Sequence, residues 1–135
     1  MIQLEPIGYV RSPLTRREHA PKQGHEGAPE ARLVFVPRVG PALANVRAGD
    51  ELLVLTWLHE ADRETLQVHP RDDPSAPLTG VFSTRSQDRP NPIGVHRVRV
   101  IGVVAPTELV VADLEAFDGT PVLDVKTVLD RLRER

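Results

Sequence analysis

The sequence predicts one all-β domain, a barrel or a sandwich, with short helical turns and a short helical C-terminal tail. Three observations predict it. Seven apolar runs, 5–9 residues long and rich in Val and Leu, recur along the 135 residues. Thirteen Pro and nine Gly separate them and leave little room for long helices. Within the runs the apolar side chains alternate, as in Arg97, Val98, Arg99, Val100, where every second residue faces a core.

In chain order the predicted strands are Ile7–Arg11, Ala31–Val36, Glu51–Leu58, Thr79–Ser83, His96–Val104, Glu108–Leu114 and Pro121–Val125. Their length and β-branched content favour strands over helices. A helical turn is predicted at Pro41–Val46. A helical tail is predicted over Thr127–Arg135, with Val128, Leu129 and Leu132 on one side. Many short strands with frequent turns make one barrel or sandwich. Three longer segments interrupt the rhythm: Ser12–Glu30, His59–Leu78 and Ser86–Ile93. Segments of such length in a small domain usually carry function or lack order.

Composition narrows the chemistry. Forty per cent of residues are hydrophobic, enough for one core, and three Phe, one Tyr and one Trp make that core aliphatic. The absence of Cys removes disulfides, thiolate metal sites and a cysteine nucleophile. The N-terminal MIQLEPIGYVRSP lacks the basic start and apolar run of a signal peptide, and no apolar stretch approaches the roughly 20 residues of a membrane span. A cytoplasmic protein is expected. Net charge is −2, so the chain as a whole is not a basic nucleic-acid binder, although only two of its 17 basic residues are Lys. Arginine suits bidentate contacts to phosphate, but base composition of the genome is an equally simple source of that skew.

No glycine-rich dinucleotide loop and no P-loop is present. His19, His25 and Glu26, or His59 and His69, lack the spacing of a metal motif, so no metal is expected.

Two stretches stand out. In GVFSTRSQDRPNPIG, residues 80–94, a strand over Val81–Ser83 runs into a polar loop where Pro90 and Pro92 bracket Asn91. Each proline fixes its own φ and holds the preceding residue, Arg89 or Asn91, extended. Ser83, Thr84, Arg85 and Arg89 offer donors for a carboxylate or phosphate. The loop is therefore either a preorganised ligand cradle or a stiffened connection meeting solvent. In LEAFDGTPVLDVK, residues 114–126, Asp118-Gly119 is a hairpin-type turn. It either links two strands or lets backbone groups approach a ligand at Gly119. Asp124 and Lys126 share the face opposite Val125.

Together with PIGYVRSP at the N-terminus, APKQG at residues 20–24 and LTWLHE at 55–60, these stretches resemble the TsaA-like, or YaeB-like, family, which includes the TrmO-type tRNA methyltransferases. The resemblance spans nearly the whole chain. It implies a single-sheeted, mostly antiparallel β-barrel that binds S-adenosyl-L-methionine, forms a homodimer, and methylates N6 of threonylcarbamoyladenosine at position 37 of tRNA. It carries cofactor-binding roles onto Pro21, Lys22, Gln23, His59, Glu60, Arg85, Gly94, Val95, Asp118, Gly119, Thr120 and Pro121. Of these, Arg85 suits the methionine carboxylate, and the backbone around Asp118–Thr120 the adenosine. Arg89 and Asn91 are expected to face the nucleic acid. A base for the transfer would come from Asp118, His59, Glu60 or His96, and no one of them is singled out.

The sequence departs from the family's pattern at Lys22 for Arg, at Glu60 for Gln, and at Thr127-Val128 for Pro-Tyr. It also ends just after the expected barrel, where many tRNA-acting members continue into a further domain. A methyltransferase acting on a small molecule or another modified base, and a non-catalytic module that holds the cofactor, are the competing expectations.

Overall fold

The inward residues of each strand build the architecture. In the computed structural model, which describes residues 1–14 and 29–129, β1 (Gly8–Arg11), β2 (Ala31–Phe35), β3 (Glu51–Trp57), β6 (Ile93–Ala105), β7 (Glu108–Ala112) and β8 (Pro121–Thr127) close into a six-stranded barrel. The order around it is β1-β2-β7-β6-β3-β8, and every pairing is antiparallel. The all-β expectation holds, and closure makes it a barrel rather than a sandwich, leaving no open edge in the main sheet.

Alternate residues fill the interior. On β3 these are Leu52, Val54 and Thr56; on β6 they are Gly94, His96, Val98 and Val100. Leu52, Val54, Val98 and Val100 join Val10, Leu33, Leu109, Val111, Leu114, Val122 and the ring of Phe35 in a largely aliphatic core. Arg97 and Arg99 point outward from β6, where Arg97 Nε donates to Glu51 Oε2 at 2.6 Å. Lys126 Nζ lies 3.1 Å from Asp124 Oδ2, so that pair shares a face as its spacing predicts.

Bulges bend the strands. The β3–β8 register shifts between Leu55 and Thr56, where Leu55 faces Asp124 but Thr56 faces Val122. Two further shifts lie on the long strand β6 opposite β7. Such irregularities increase local twist and re-aim side chains at barrel rims.

The structure corrects several local expectations. The predicted strand Thr79–Ser83 is cut short: only Thr79–Gly80 is strand (β5), and Val81–Ser83 is a 3₁₀ turn. The segment His59–Leu78 is not irregular throughout, because β4 (Gln67–Val68) pairs with β5 as a small separate sheet. The helical turn predicted at Pro41–Val46 begins earlier, as a 3₁₀ helix over Pro37–Leu43. Thr127 ends β8 instead of starting a helix, and the Val128 N–H continues the ladder to Glu51 O at 3.2 Å. Residues 130–135, with Leu132, lie outside the described residues.

Asp118-Gly119 also differs from a hairpin. β7 and β8 are not neighbours, so residues 113–120 cross the barrel end. The turn pins the exit of β1: Gly119 N–H donates to Val10 O at 2.7 Å, Asp118 N–H to Leu14 O at 2.7 Å, and Ser12 N–H to Asp118 Oδ1 at 3.0 Å. Gly119 has φ +84°, the left-handed conformation anticipated for it.

Candidate functional site

Strand ends and loops converge at one mouth of the barrel on a cleft of about 600 Å³. Its walls are the residues that follow β3 (Leu58–Glu60), the β4 arm (Val68–Asp72), the loop through Arg85, the start of β6 (Ile93–His96) and the crossing segment 115–117. That volume falls within the roughly 300–1,000 Å³ of small-molecule sites.

Proline stiffening is supplemented by two clamps on the Arg85 loop. Arg89 folds back into it: Nε donates to Ser86 O at 2.7 Å, and Nη2 to Val81 O at 2.8 Å and Thr84 O at 2.7 Å. Three of the five donors a guanidinium carries are thus used inside the loop. From outside, Arg63 donates to Pro90 O at 2.7 Å and to Asn91 Oδ1 at 3.0 Å, and its guanidinium lies over Trp57, 5.1 Å from the ring centroid. Asp88 Oδ1 accepts the Asp62 N–H at 2.9 Å. Arg85, between these clamps, is left exposed on the cleft.

The deepest polar group is a three-residue chain. Thr56 Oγ1 lies 2.7 Å from His96 Nε2, and His96 Nδ1 lies 2.6 Å from Glu115 Oε1. Thr56 is fully buried, the His96 side chain is 4% exposed, and that of Glu115 16%. His96 and Glu115 border the cleft.

Of the residues singled out from sequence, His59, Glu60, Arg85, Gly94, Val95 and Thr120 border this cleft, and so does Arg89. Asp118, Gly119 and Pro121 lie on the crossing segment and the start of β8, beside the exit of β1. Asn91 is exposed and held by Arg63. Pro21, Lys22 and Gln23 lie outside the described residues. Among the described residues no three His, Asp or Glu side chains gather as a metal site.

Sequence reasoning passed over Thr56, Glu115 and Phe82. Phe82 borders the cleft and is 84% exposed. The signal for Thr56 was parity: it takes an inward position after Leu52 and Val54, just as His96 precedes Val98 and Val100. Glu115 and Phe82 sit in irregular segments, where no periodicity marks a facing direction.

Residues 9–132 match the tRNA-methyltransferase O N-terminal domain family. A probable S-adenosyl-L-methionine-binding protein of Methanothermobacter thermautotrophicus is 39% identical over 93% of this chain and 88% of its own. An S-adenosyl-L-methionine-binding protein of Archaeoglobus fulgidus is 36% identical over 91% and 86%. The crystal structure of TrmO from Pseudomonas aeruginosa superposes on the whole of this chain with a TM-score of 0.76 at 28% identity. This chain spans 60% of the length of that one.

Proposed function

This chain belongs to the tRNA-methyltransferase O N-terminal domain family, and we propose that it binds S-adenosyl-L-methionine in the barrel-mouth cleft and methylates N6 of threonylcarbamoyladenosine at position 37 of tRNA. The observation that carries the reading is the convergence on one cleft of His59, Glu60, Arg85, Gly94, Val95 and Thr120 from four separate parts of the chain.

The residues present suit the methyl donor. The cleft is large enough, and the exposed Arg85 guanidinium, on a loop clamped by Arg89 and Arg63, suits a carboxylate through paired N–H donors. His59 and Glu60 supply further polar groups along the cleft. Asp118, Gly119 and Pro121 are assigned to the same site through the segment they anchor, and Pro21, Lys22 and Gln23, which lie outside the described residues, are assigned to it by the family resemblance alone. When bound, the donor supplies a methyl on a positively charged sulfur. The protein's task is to align an acceptor at about 3–3.5 Å and to keep water out.

A nucleobase acceptor is supported by the cleft rim. Phe82, Arg85 and Arg71 stand on it, and an aromatic face beside guanidinium groups is the common cradle for a base splayed from RNA. Asn91 and Arg89 lie on the loop that would meet the anticodon strand. The protein acts as a homodimer in the cytoplasm in this reading; among the described residues no helix is long and apolar enough to cross a membrane.

A small acceptor is the second reading, favoured by one observation. Of the arginines between residues 85 and 99, Arg89 and Arg97 direct donors at groups of the protein itself, which reduces the basic surface offered to a phosphate backbone. Mass spectrometry of tRNA nucleosides from a strain lacking this protein, with and without complementation, separates the two. Loss and recovery of the methylated nucleoside supports tRNA as substrate; an unchanged profile overturns it.

A further inference from the structure

Barrel interiors of this size are normally filled with apolar side chains. Here the interior of the cleft end holds Thr56 and His96 at inward positions on two paired strands, and both are built in without an unsatisfied atom. Thr56 faces Gly94 in the register of β3 and β6, and reaches past it to the imidazole two residues along. Only the missing side chain of Gly94 makes that passage, since a Cβ there would lie 2.5 Å from Thr56 Oγ1 and 2.8 Å from His96 Nε2. The bulge opposite Thr56 falls at the same place. The inward polar pair and the bare Gly94 thus form one arrangement, whose outer end is the Glu115 carboxylate on the cleft.

We propose that Glu115 is the proton acceptor for methyl transfer, and that His96 and Thr56 are positioning residues that fix its carboxylate. The assignment rests on the methyltransferase reading above. An ionised carboxylate only accepts hydrogen bonds, so His96 must carry a proton on Nδ1 and donate it to Glu115 Oε1. In a neutral ring the Thr56 hydroxyl then donates to Nε2, which locks the tautomer from the buried side. The remaining carboxylate surface faces the cleft. As the acceptor nitrogen bonds to the methyl carbon, the carbon–sulfur electron pair returns to sulfur, leaving a neutral thioether. The proton of the acceptor N–H passes to Glu115 and leaves to solvent with the product. A carbamoylated amine is a poor nucleophile, so removing its proton is where a base contributes. His59, Glu60 and Asp118 are exposed, and among the described residues none of them has a comparable buried support.

The test uses the purified full chain, tritium-labelled methyl donor, and tRNA containing threonylcarbamoyladenosine. Glu115→Gln, close to isosteric, is expected to lower kcat at least about 100-fold. The donor Kd and the tRNA KM should change less than about threefold. His96→Ala should lose activity likewise, and His96→Asn should recover part of it, because its amide N–H takes the place of Nδ1–H. Nitrogen NMR of the protein without donor should show His96 protonated at Nδ1. Glu115→Gln with the wild-type kcat, or His96 protonated at Nε2 alone, overturns this proposal and leaves the methyltransferase reading intact. Wild-type protein that binds the donor and methylates no tRNA overturns the acceptor reading, and the role of Glu115 with it.

Discussion

Gly94 stands directly opposite Thr56 across strands β3 and β6, and the hydroxyl of Thr56 occupies the space where a side chain on residue 94 would be. Gly94→Ala is therefore expected to destabilise the barrel by about 1–3 kcal/mol, the usual effect of overpacking a filled interior. It should also disturb the 2.7 Å contact from Thr56 to His96. Urea denaturation measures the first effect and the His96 ring signals report the second. An unchanged midpoint would mean that the two strands separate freely at this end.

Arg89→Ala removes three hydrogen bonds to backbone carbonyls of its own loop. The loop presents Arg85 to the cleft, so donor affinity should fall together with stability, by about 1–3 kcal/mol for the latter. Arg89→Lys should not restore either, because an ammonium cannot span three carbonyls in the plane of a guanidinium. Calorimetry and thermal unfolding decide. Full donor affinity in Arg89→Ala would show that Arg85 is placed without it.

Arg85→Ala should separate from that behaviour. Its side chain is exposed at the cleft and has no structural bond among those described. Donor affinity is expected to drop about 10–100-fold, the range for a hydrogen bond to a charged group, while the melting temperature stays within a degree or two. Equal affinity in mutant and wild type would remove Arg85 from the site.

Phe82→Ala should be silent in stability, since the ring is 84% exposed. If the ring stacks on the target base, KM for tRNA should rise by the equivalent of about 1–3 kcal/mol, with donor binding unchanged. A KM equal to wild type would count against stacking there.

Asp73 gives a local pH reporter on the arm that borders the cleft. Ser75 holds its carboxyl below the ordinary range, through its hydroxyl at 2.7 Å and its backbone N–H at 2.9 Å, both to Oδ1. A depressed carboxyl contributes to the folded arm above the unfolded-state range and loses that contribution as pH falls through the lowered value. Ser75→Ala should move the Asp73 titration upward in a carbon-detected NMR series. An unmoved titration would show that the hydroxyl bond is absent in solution.

Much of this protein is legible in residue order because strands and turns obey local rules. Two-residue alternation marks Val98 and Val100 as interior and Arg97 and Arg99 as surface, and the β6 burial pattern follows it. The left-handed backbone at Gly119 follows from glycine's lack of a Cβ. Local rules did fail at Val81–Ser83, where an apolar run tightens into a 3₁₀ turn that brings the Val81 and Thr84 carbonyls within reach of Arg89.

What only the tertiary structure decided are relations between distant residues. The pairing of β1 with β8 joins Gly8 to Val122 and closes the barrel; nothing local to either strand selects that partner. Thr56 and His96 are 40 residues apart, and His96 and Glu115 are 19. Alternation could place Thr56 and His96 inside, but their contact depends on the β3–β6 register and the bare Cα of Gly94 acting together. Arg89 likewise reads as a surface cation until the loop's curvature turns its guanidinium onto three carbonyls. The sequence alone determined which side chains face inward, since that depends only on the pleat; strand closure decided which of them meet, because a hydrogen bond needs two groups within about 3 Å, wherever along the chain they lie.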